Sequence, residues 1–223
     1  MPLQARLPDA PVILYLHGFT SSAGSTKAKY FAERLREHGL DLGCPDFNEP
    51  DFRTLTMTRM LEQLEHEIAP ASGPVTLIGS SLGGTLAIIA ASRLGARIGR
   101  VVLLAPAVMF ARPGHHILPP ERIEQWRQDG AMPFFHHAYG EERPLAYAFH
   151  EDSVRYDPFE AFMPNQTLIF QGLHDQSVDY RMVEAFARAR PNVTLSLLDD
   201  DHQLMSSLPL IWDGVAAFLG LVT

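Results

Sequence analysis

The stretch Ile-Gly-Ser-Ser-Leu-Gly-Gly at residues 78–84 decides how this chain folds, because it follows an apolar run and opens a helical pattern. A serine at the apex of so sharp a strand-to-helix turn adopts strained backbone angles, and the positions two residues before and after it favour glycine. Ser81 has Gly79 and Gly83 at these positions, whereas Ser80 has neither. We therefore interpret Ser81 as a nucleophile, and Gly79 and Gly83 as the glycines that permit the turn.

Short apolar runs alternate with helical periodicity along most of the chain. This alternation implies crossover connections and a mainly parallel sheet with helices on both faces. The predicted strands are residues 12–16, 40–45, 75–78, 101–104, 167–170 and 193–197. The predicted helices are residues 27–38, 54–68, 82–94, 181–190 and 208–219. The 223 residues are therefore predicted to form a single α/β domain, residues 1–223.

Residues 108–164, the cap segment below, interrupt this alternation because they contain no clear strand pattern. A long insertion inside a compact domain is usually functional, and we predict a small, partly helical cap or lid with one helix at residues 119–128. An ordinary crossover with a longer loop is the alternative. The aromatic side chains of the cap segment, Phe134 and Phe135 among them, are predicted to form the wall of an apolar acyl pocket.

A serine hydroxyl is a weak nucleophile and needs a base, usually a histidine that a third group holds in place. Where the serine occupies a strand-to-helix turn of this kind, the acid follows a late strand and the histidine follows the last strand. Asp175 comes just after the strand predicted at residues 167–170, and His202 is the only histidine after Asp175. We predict Asp175 as the acid and His202 as the base. Asp179 is the alternative acid, although a carboxylate at the start of a helix is an ordinary capping residue.

When a serine attacks an acyl group, the carbonyl oxygen of the tetrahedral intermediate becomes negatively charged. Two backbone N–H groups commonly stabilise this oxyanion. Leu82, directly after the proposed nucleophile, is predicted to supply the first donor at the start of a helix. The second is expected from the loop after the first strand, where Gly18 allows a close approach of the backbone and Phe19 is the candidate donor. His17, in the same loop, is interpreted as structural.

The formal net charge of −8, with histidine neutral, limits the possible partners. It argues against nucleic acid and against an anionic membrane surface, because neither attracts an acidic protein. No segment approaches the roughly 18 consecutive apolar residues that a membrane span requires. No apolar stretch of the secretory type precedes Pro11, and the single cysteine, Cys44, excludes an internal disulfide. These features favour a cytoplasmic location.

No cofactor and no metal site are predicted for this chain. One cysteine cannot form a cysteine-based metal site. The cap segment holds two adjacent histidine pairs, His115-His116 and His136-His137, but adjacent residues rarely point at one ion, and no H-E-x-x-H spacing occurs. The acidic run at residues 199–201 is interpreted as a solvated turn.

Several motifs of the chain resemble those of known hydrolases. They are residues 15–22, the Lys27-Ala28-Lys29 run, residues 79–84, the Gly172…Asp175…Val178 segment and the Asp201-His202 pair. The first four look like the small bacterial YqiA-type esterases of the α/β-hydrolase superfamily. Residues 79–84 and the Asp-His pair are also similar to acyl-protein thioesterases typified by α/β-hydrolase domain-containing protein 10. The resemblance is weakest over the cap segment, and it implies an α/β-hydrolase fold with Ser81, Asp175 and His202 as the catalytic triad.

The residues and the resemblance together favour a serine hydrolase that cleaves carboxylic esters, with a small-molecule acyl ester or thioester as its substrate. Ser81 at the turn excludes the aspartate nucleophile of dehalogenases and epoxide hydrolases. A thioesterase or a peptidase of the same fold is an alternative. A binding protein on a hydrolase scaffold is a rival from a different class, because a fold alone does not fix a function.

Overall fold

The computed structural model describes residues 12–110, 112 and 118–221, and the pair His115-His116 lies outside these residues. The strands are β1 (Ile13–Leu16), β2 (Leu42–Gly43), β3 (Val75–Ser80), β4 (Ile98–Leu104), β5 (Ala131–His136), β6 (Glu141–Ala146), β7 (Gln166–Gly172) and β8 (Val193–Leu198). The helices are α1 (Thr26–Arg36), α2 (Met57–Ile68), α3 (Leu82–Leu94), α4 (Pro120–Asp129), α5 (Ala148–Ser153), α6 (Tyr180–Arg188) and α7 (Leu208–Leu219). Six strands form a parallel sheet in the order β2-β1-β3-β4-β7-β8, and β5 pairs with β6 in a separate antiparallel hairpin.

Helices cover the central sheet on both faces, as the sequence predicts. Successive side chains of a strand point to opposite faces, so Leu14 and Leu16 join one hydrophobic core while Ile13 and Tyr15 join the other. The first core also contains residues of α2, α3 and α6, and the second contains residues of α1 and α7. Among the described residues, no helix combines the length and the apolar character that crossing a membrane would require.

The bounds of most elements agree with the prediction, and the differences have local causes. Helix α1 begins at Thr26 because the Ser25 hydroxyl accepts the N–H of Ala28 at 3.3 Å. The strand predicted at residues 40–45 shortens to two residues, Leu42 and Gly43, which pair with β1 at the edge of the sheet. Cys44 therefore lies just beyond a strand and not within one.

The cap segment contains helices and also two strands that the sequence pattern does not predict. The predicted helix forms as α4, with Pro120 in its first turn and Gly130 in a left-handed conformation (φ +71°) directly after it. The β5–β6 hairpin follows, and then α5. The sequence does not predict β6, because Glu141, Glu142 and Arg143 break the alternation of apolar and polar residues that marks a strand. The strand is largely exposed to solvent.

Candidate active site

Loops at the carboxyl ends of parallel strands bring the predicted site residues to one edge of the sheet. Phe19 lies in the loop after β1, and Ser81 lies in the turn between β3 and α3. Asp175 and His202 follow β7 and β8. Strands β1 and β3 are neighbours in the sheet but not in the sequence, and a crevice between their carboxyl ends is where such folds place ligands.

The turn at Ser81 has the strained geometry that the motif predicts. Ser81 has φ +52° and ψ −115°, although it is not a glycine. A Cβ added at Gly79 would lie 2.7 Å from the carbonyl carbon of Gly83. A Cβ added at Gly83 would lie 2.7 Å from the carbonyl oxygen of His17, in the loop after β1. Both glycines are thus needed, one to close the turn and the other to let α3 approach β1.

A chain of hydrogen bonds joins Ser81, His202 and Asp175. His202 Nε2 lies 3.1 Å from Ser81 Oγ, and His202 Nδ1 lies 2.7 Å from Asp175 Oδ2. The Asp175 side chain is fully buried, and it also accepts hydrogen bonds from Gln171 Nε2 at 2.9 Å and from the N–H of Val178 at 2.8 Å. Burial acts to raise the pKa of the Asp175 carboxyl, but the hydrogen bonds and the nearby imidazole outweigh burial and hold that pKa below its ordinary value. The carboxylate is therefore ionised at neutral pH.

The loops that carry Asp175 and His202 are hydrogen-bonded to each other. The N–H of His174, directly before the proposed acid, donates to the carbonyl of Asp200 at 3.0 Å. The chains pass so closely that a Cβ on Gly172 would lie 2.5 Å from the carbonyl oxygen of Asp200. The Asp200 carboxylate in turn accepts the N–H of Ser207 at 2.8 Å. These contacts fix the separation of the acid and the base.

Asp179, the alternative acid, has a different position. Its side chain accepts the N–H of Arg181 at 2.9 Å and caps the N-terminus of α6. The His202 imidazole bonds to Asp175 and not to Asp179. The geometry thus favours Asp175 over Asp179 as the group that orients His202.

The two proposed oxyanion donors line the same cavity as Ser81. Leu82 occupies the first position of α3, and Phe19 lies in the loop after β1. In the described part of the chain, neither amide donates a hydrogen bond to another residue. His17 supports this loop, since its Nε2 accepts the N–H of Phe47 at 3.0 Å and its Nδ1 lies 3.0 Å from the carbonyl oxygen of Gly18.

Aromatic rings of the cap segment hold the Phe19 side chain in place. Its ring packs edge-on against Phe134, with 5.4 Å between the ring centroids, and stacks on Phe149 at 5.5 Å. The ring of Phe52, a residue that precedes α2, also contacts Phe19, with 5.8 Å between the two ring centroids. Three rings from distant parts of the chain therefore fix the residue whose amide is a proposed oxyanion donor.

Polar contacts join the β5–β6 hairpin to the same loop. The N–H of Ala138 donates to the carbonyl of Thr20 at 3.2 Å. Asn48 Nδ2 donates to the carbonyl of Ser21 at 2.8 Å, and Asn48 Oδ1 lies 3.0 Å from Nε2 of the wholly buried His136. Since Asn48 Oδ1 can only accept, His136 Nε2 carries the proton. The sequence does not predict the contact between Asn48 and His136, because the two residues lie 88 positions apart in the chain.

A cavity of about 600 Å³ opens beside Ser81 and His202. Its apolar lining includes Leu82, Ala107, Phe110, Val178 and Met205. Its polar lining includes Ser21, Ser22, Ser25, Lys27 and His137. The volume falls in the range of small-molecule sites, and the mixed lining suits a ligand with both an apolar and a polar part.

The two phenylalanines predicted for the acyl pocket do not line this cavity. Adjacent residues of a strand face opposite sides, so the two rings diverge. Phe134 turns inward and packs against Phe19 and Trp126. Phe135 is 52% exposed and faces the ring of His137. Phe110, within the cap segment, lines the cavity in their place.

Cys44 and the metal-binding residue types are further groups among the described residues that can carry chemistry in proteins. Burial raises the pKa of the Cys44 thiol to about 11, which keeps the thiol protonated and unreactive at neutral pH. Within the described residues, no group of three or more His, Cys, Asp or Glu side chains is placed to hold a metal ion.

Comparisons with known proteins place the chain in a family and relate it to other sequences. The uncharacterised protein family UPF0227 matches residues 12–218, nearly the whole described chain. The biotin biosynthesis bifunctional protein BioHC of Teredinibacter turnerae is 35% identical over 114 residues. That match covers 47% of this chain and only 19% of the bifunctional protein, so it concerns a part of each.

Solved structures with a similar fold include several hydrolases. Est1E from Butyrivibrio proteoclasticus, with ferulic acid bound, superposes with a TM-score of 0.81 at 21% identity, over 96% of this chain and 92% of that chain. Alpha/beta hydrolase domain-containing protein 10 from mouse gives a TM-score of 0.79 at 19% identity, over 98% and 93%. A monoacylglycerol lipase from Paleococcus ferrophilus gives 0.76 at 13% identity, over 94% and 95%. These similarities confirm the α/β-hydrolase fold that the sequence motifs predict.

Proposed function

The chain belongs to the uncharacterised protein family UPF0227, and we propose that it is a serine hydrolase that cleaves carboxylic esters through an acyl-enzyme intermediate on Ser81. The observation that carries the proposal is the hydrogen-bond chain from Ser81 through His202 to the buried Asp175, at the wall of a ligand-sized cavity. Such a chain supplies a nucleophile, a base and a group that orients the base.

In the first half of the reaction, Ser81 Oγ attacks the carbonyl carbon of the ester while His202 Nε2 accepts the hydroxyl proton, across a starting distance of 3.1 Å. The carbonyl oxygen becomes an oxyanion, and the N–H groups of Phe19 and Leu82 donate to it. Asp175 accepts the Nδ1–H of His202 at 2.7 Å, which keeps the proton off Nε2 and stabilises the imidazolium.

The imidazolium then donates its proton to the leaving alcohol as the ester C–O bond breaks. This step completes the first half of the reaction and leaves the acyl group on Ser81, and the second half begins with water. A water molecule then attacks the acyl carbonyl while His202 again accepts a proton. The same two amides stabilise the second oxyanion. Collapse of that intermediate releases the carboxylic acid and restores the serine hydroxyl.

The cavity and the structural relatives support a small acyl ester as the substrate. The space beside Ser81, about 600 Å³, suits a small molecule. Est1E, which shares the fold, binds ferulic acid, and a carboxylic acid is the product of ester hydrolysis. The mechanism also applies to a thioester, whose thiolate leaves in place of the alkoxide.

Hydrolysis of a p-nitrophenyl ester series, from acetate to palmitate, tests the proposal. We expect the wild type to turn over the shorter esters, and Ser81→Ala to lower kcat by at least about a thousandfold because the nucleophile is lost. An acyl thioester measured in parallel separates the esterase from the thioesterase. A thermal unfolding scan of Ser81→Ala checks that the variant is folded.

Two outcomes would contradict the proposal. If Ser81→Ala retained the wild-type rate, another group would be the nucleophile. If the folded wild type cleaved neither esters nor thioesters and did not react with a fluorophosphonate, the chain would be a binding protein on a hydrolase scaffold.

A further inference from the structure

Lys27 is a buried lysine that lines the same cavity as Ser81 and His202. The exposed fraction of Lys27 is 9%. In folded proteins, lysine is almost never fully buried unless it is paired. Its Nζ donates one hydrogen bond, at 2.9 Å, to the carbonyl of Gln203, the residue after the proposed base. The mechanism above makes no use of this ammonium group.

Lys27 has no ion-pair partner among the described residues. None of the carboxylate–cation contacts within 4.0 Å involves its Nζ. An ammonium group has three N–H donors, and the carbonyl of Gln203 accepts one of them. A buried cation with donors to spare beside a catalytic cavity is a candidate for contact with a ligand.

The position of Lys27 in its helix also disfavours a positive charge. Lys27 lies in the first turn of α1, where the helix dipole opposes a cation. Burial lowers the pKa of its ammonium to about 8, while Asp201, Asp175 and Asp200 act in the opposite direction from a distance. The group is still mostly protonated at neutral pH, although burial and the helix end both act against its charge.

We propose that Lys27 forms an anion subsite of the catalytic cavity, and that the substrate is an ester carrying a carboxylate. The proposal rests on the proposed function and names its substrate class. A carboxylate on the acyl chain or on the alcohol would accept one Nζ–H bond, while Ser22 of the same wall offers a hydroxyl donor. The scissile carbonyl would then lie toward Ser81, with the apolar lining around the remaining chain.

Kinetics on a matched pair of esters tests the subsite. Monomethyl succinate carries a carboxylate, and methyl butyrate has a neutral chain of the same length; both are alkyl esters, whose poor leaving group prevents rapid attack by the succinate carboxylate on its own ester. We expect the wild type to prefer the succinate, and Lys27→Met to lower the succinate-to-butyrate ratio of kcat/KM by about tenfold, mainly through KM. Lys29→Met removes the same charge from an exposed position of α1 and is expected to leave the ratio unchanged.

A second variant separates the effect of the Lys27 charge from an effect of Lys27 on the position of the His202 loop. Lys27→Gln removes the charge but can still donate to the carbonyl of Gln203, so it is expected to lose the preference as Lys27→Met does. If both variants lowered the two rates by the same factor, Lys27 would act only by positioning the His202 loop, and the subsite would be wrong. A wild type with equal rates on the two esters would also overturn it.

Binding measured without turnover distinguishes failure of the subsite from failure of the proposed function. We expect monomethyl succinate to bind Ser81→Ala in a calorimetric titration, and methyl butyrate to bind more weakly. The double variant Ser81→Ala, Lys27→Met should lose that difference. If Ser81→Ala bound both compounds equally, the subsite would be wrong whatever the enzyme hydrolyses.

Discussion

At the scale of single residues, backbone strain is concentrated around the proposed chemistry. Three of the four described non-glycine residues with positive φ are Thr20 (+53°), Ser81 (+52°) and Leu204 (+56°). Thr20 follows the proposed oxyanion donor Phe19 by one residue, and Leu204 follows the proposed base by two. A left-handed conformation costs a residue with a side chain roughly 1–2 kcal/mol, and such costs persist where function requires them.

The assignment of the acid makes a prediction at this scale. Asp175→Asn should lower kcat by about 10⁴-fold, because an amide neither fixes the tautomer of His202 nor stabilises the imidazolium. Asp179→Asn is the matched control, since asparagine is as good an N-cap for α6 as aspartate. We expect it to keep kcat/KM close to the wild-type value. Steady-state kinetics on one p-nitrophenyl ester measure both, and a large loss in Asp179→Asn would contradict the assignment.

Single residues could be predicted from the sequence where a local pattern determines them. The glycines flanking Ser81 and the lone histidine after Asp175 identify the proposed triad without any structure. The burial of Lys27 could not be predicted in this way, because Gln203, its hydrogen-bond partner within the described residues, lies 176 residues away. The contact of Asn48 with His136 could not be predicted for the same reason, since the two residues are 88 positions apart in the sequence.

At the scale of elements, the β5–β6 hairpin supports the loop after β1, which carries the proposed oxyanion donor Phe19, more directly than it lines the cavity. Phe134 contacts the Phe19 ring, and Ala138 donates to Thr20. Two strands of the cap segment, which the sequence pattern does not predict, thus hold a loop that belongs to the core of the fold. The sequence could not reveal them, because β6 carries charges and Pro144 where strands usually carry apolar residues.

Truncation of the hairpin rings tests this role. Phe134→Ala should reduce the free energy of unfolding by about 1–3 kcal/mol, because the half-buried ring packs against Phe19 and Trp126. It should also lower kcat by the same factor for esters of every chain length, because its effect passes through Phe19. Denaturant unfolding and the p-nitrophenyl ester series measure these two effects.

Phe135→Ala provides the control for that experiment, because its ring is 52% exposed on the other side of the same strand. A change of less than roughly 0.5 kcal/mol in the free energy of unfolding is expected at such a site. A shift of acyl-chain preference in Phe134→Ala would show instead that its ring contacts the acyl group.

At the scale of the whole molecule, the strand order assembles the site. The sheet order β2-β1-β3-β4-β7-β8 places the ends of β1 and β3 side by side, so that the Phe19 loop lies next to Ser81. The alternation of strands and helices predicts a parallel sheet, but not which strands are neighbours, because pairing is set by packing between distant segments. The order of Ser81, Asp175 and His202 along the chain is the one that this fold uses, which explains why the proposed triad could be predicted before the topology was known.

The most direct test of the central claim is the site of reaction with a fluorophosphonate, located by peptide mass mapping of the folded protein. We expect one adduct, on the peptide that carries Ser81, and no adduct after thermal unfolding or in Ser81→Ala, because only the assembled triad and oxyanion donors activate the hydroxyl. An adduct on another residue, or no adduct on the folded wild type, would contradict the assignment of Ser81 as the nucleophile.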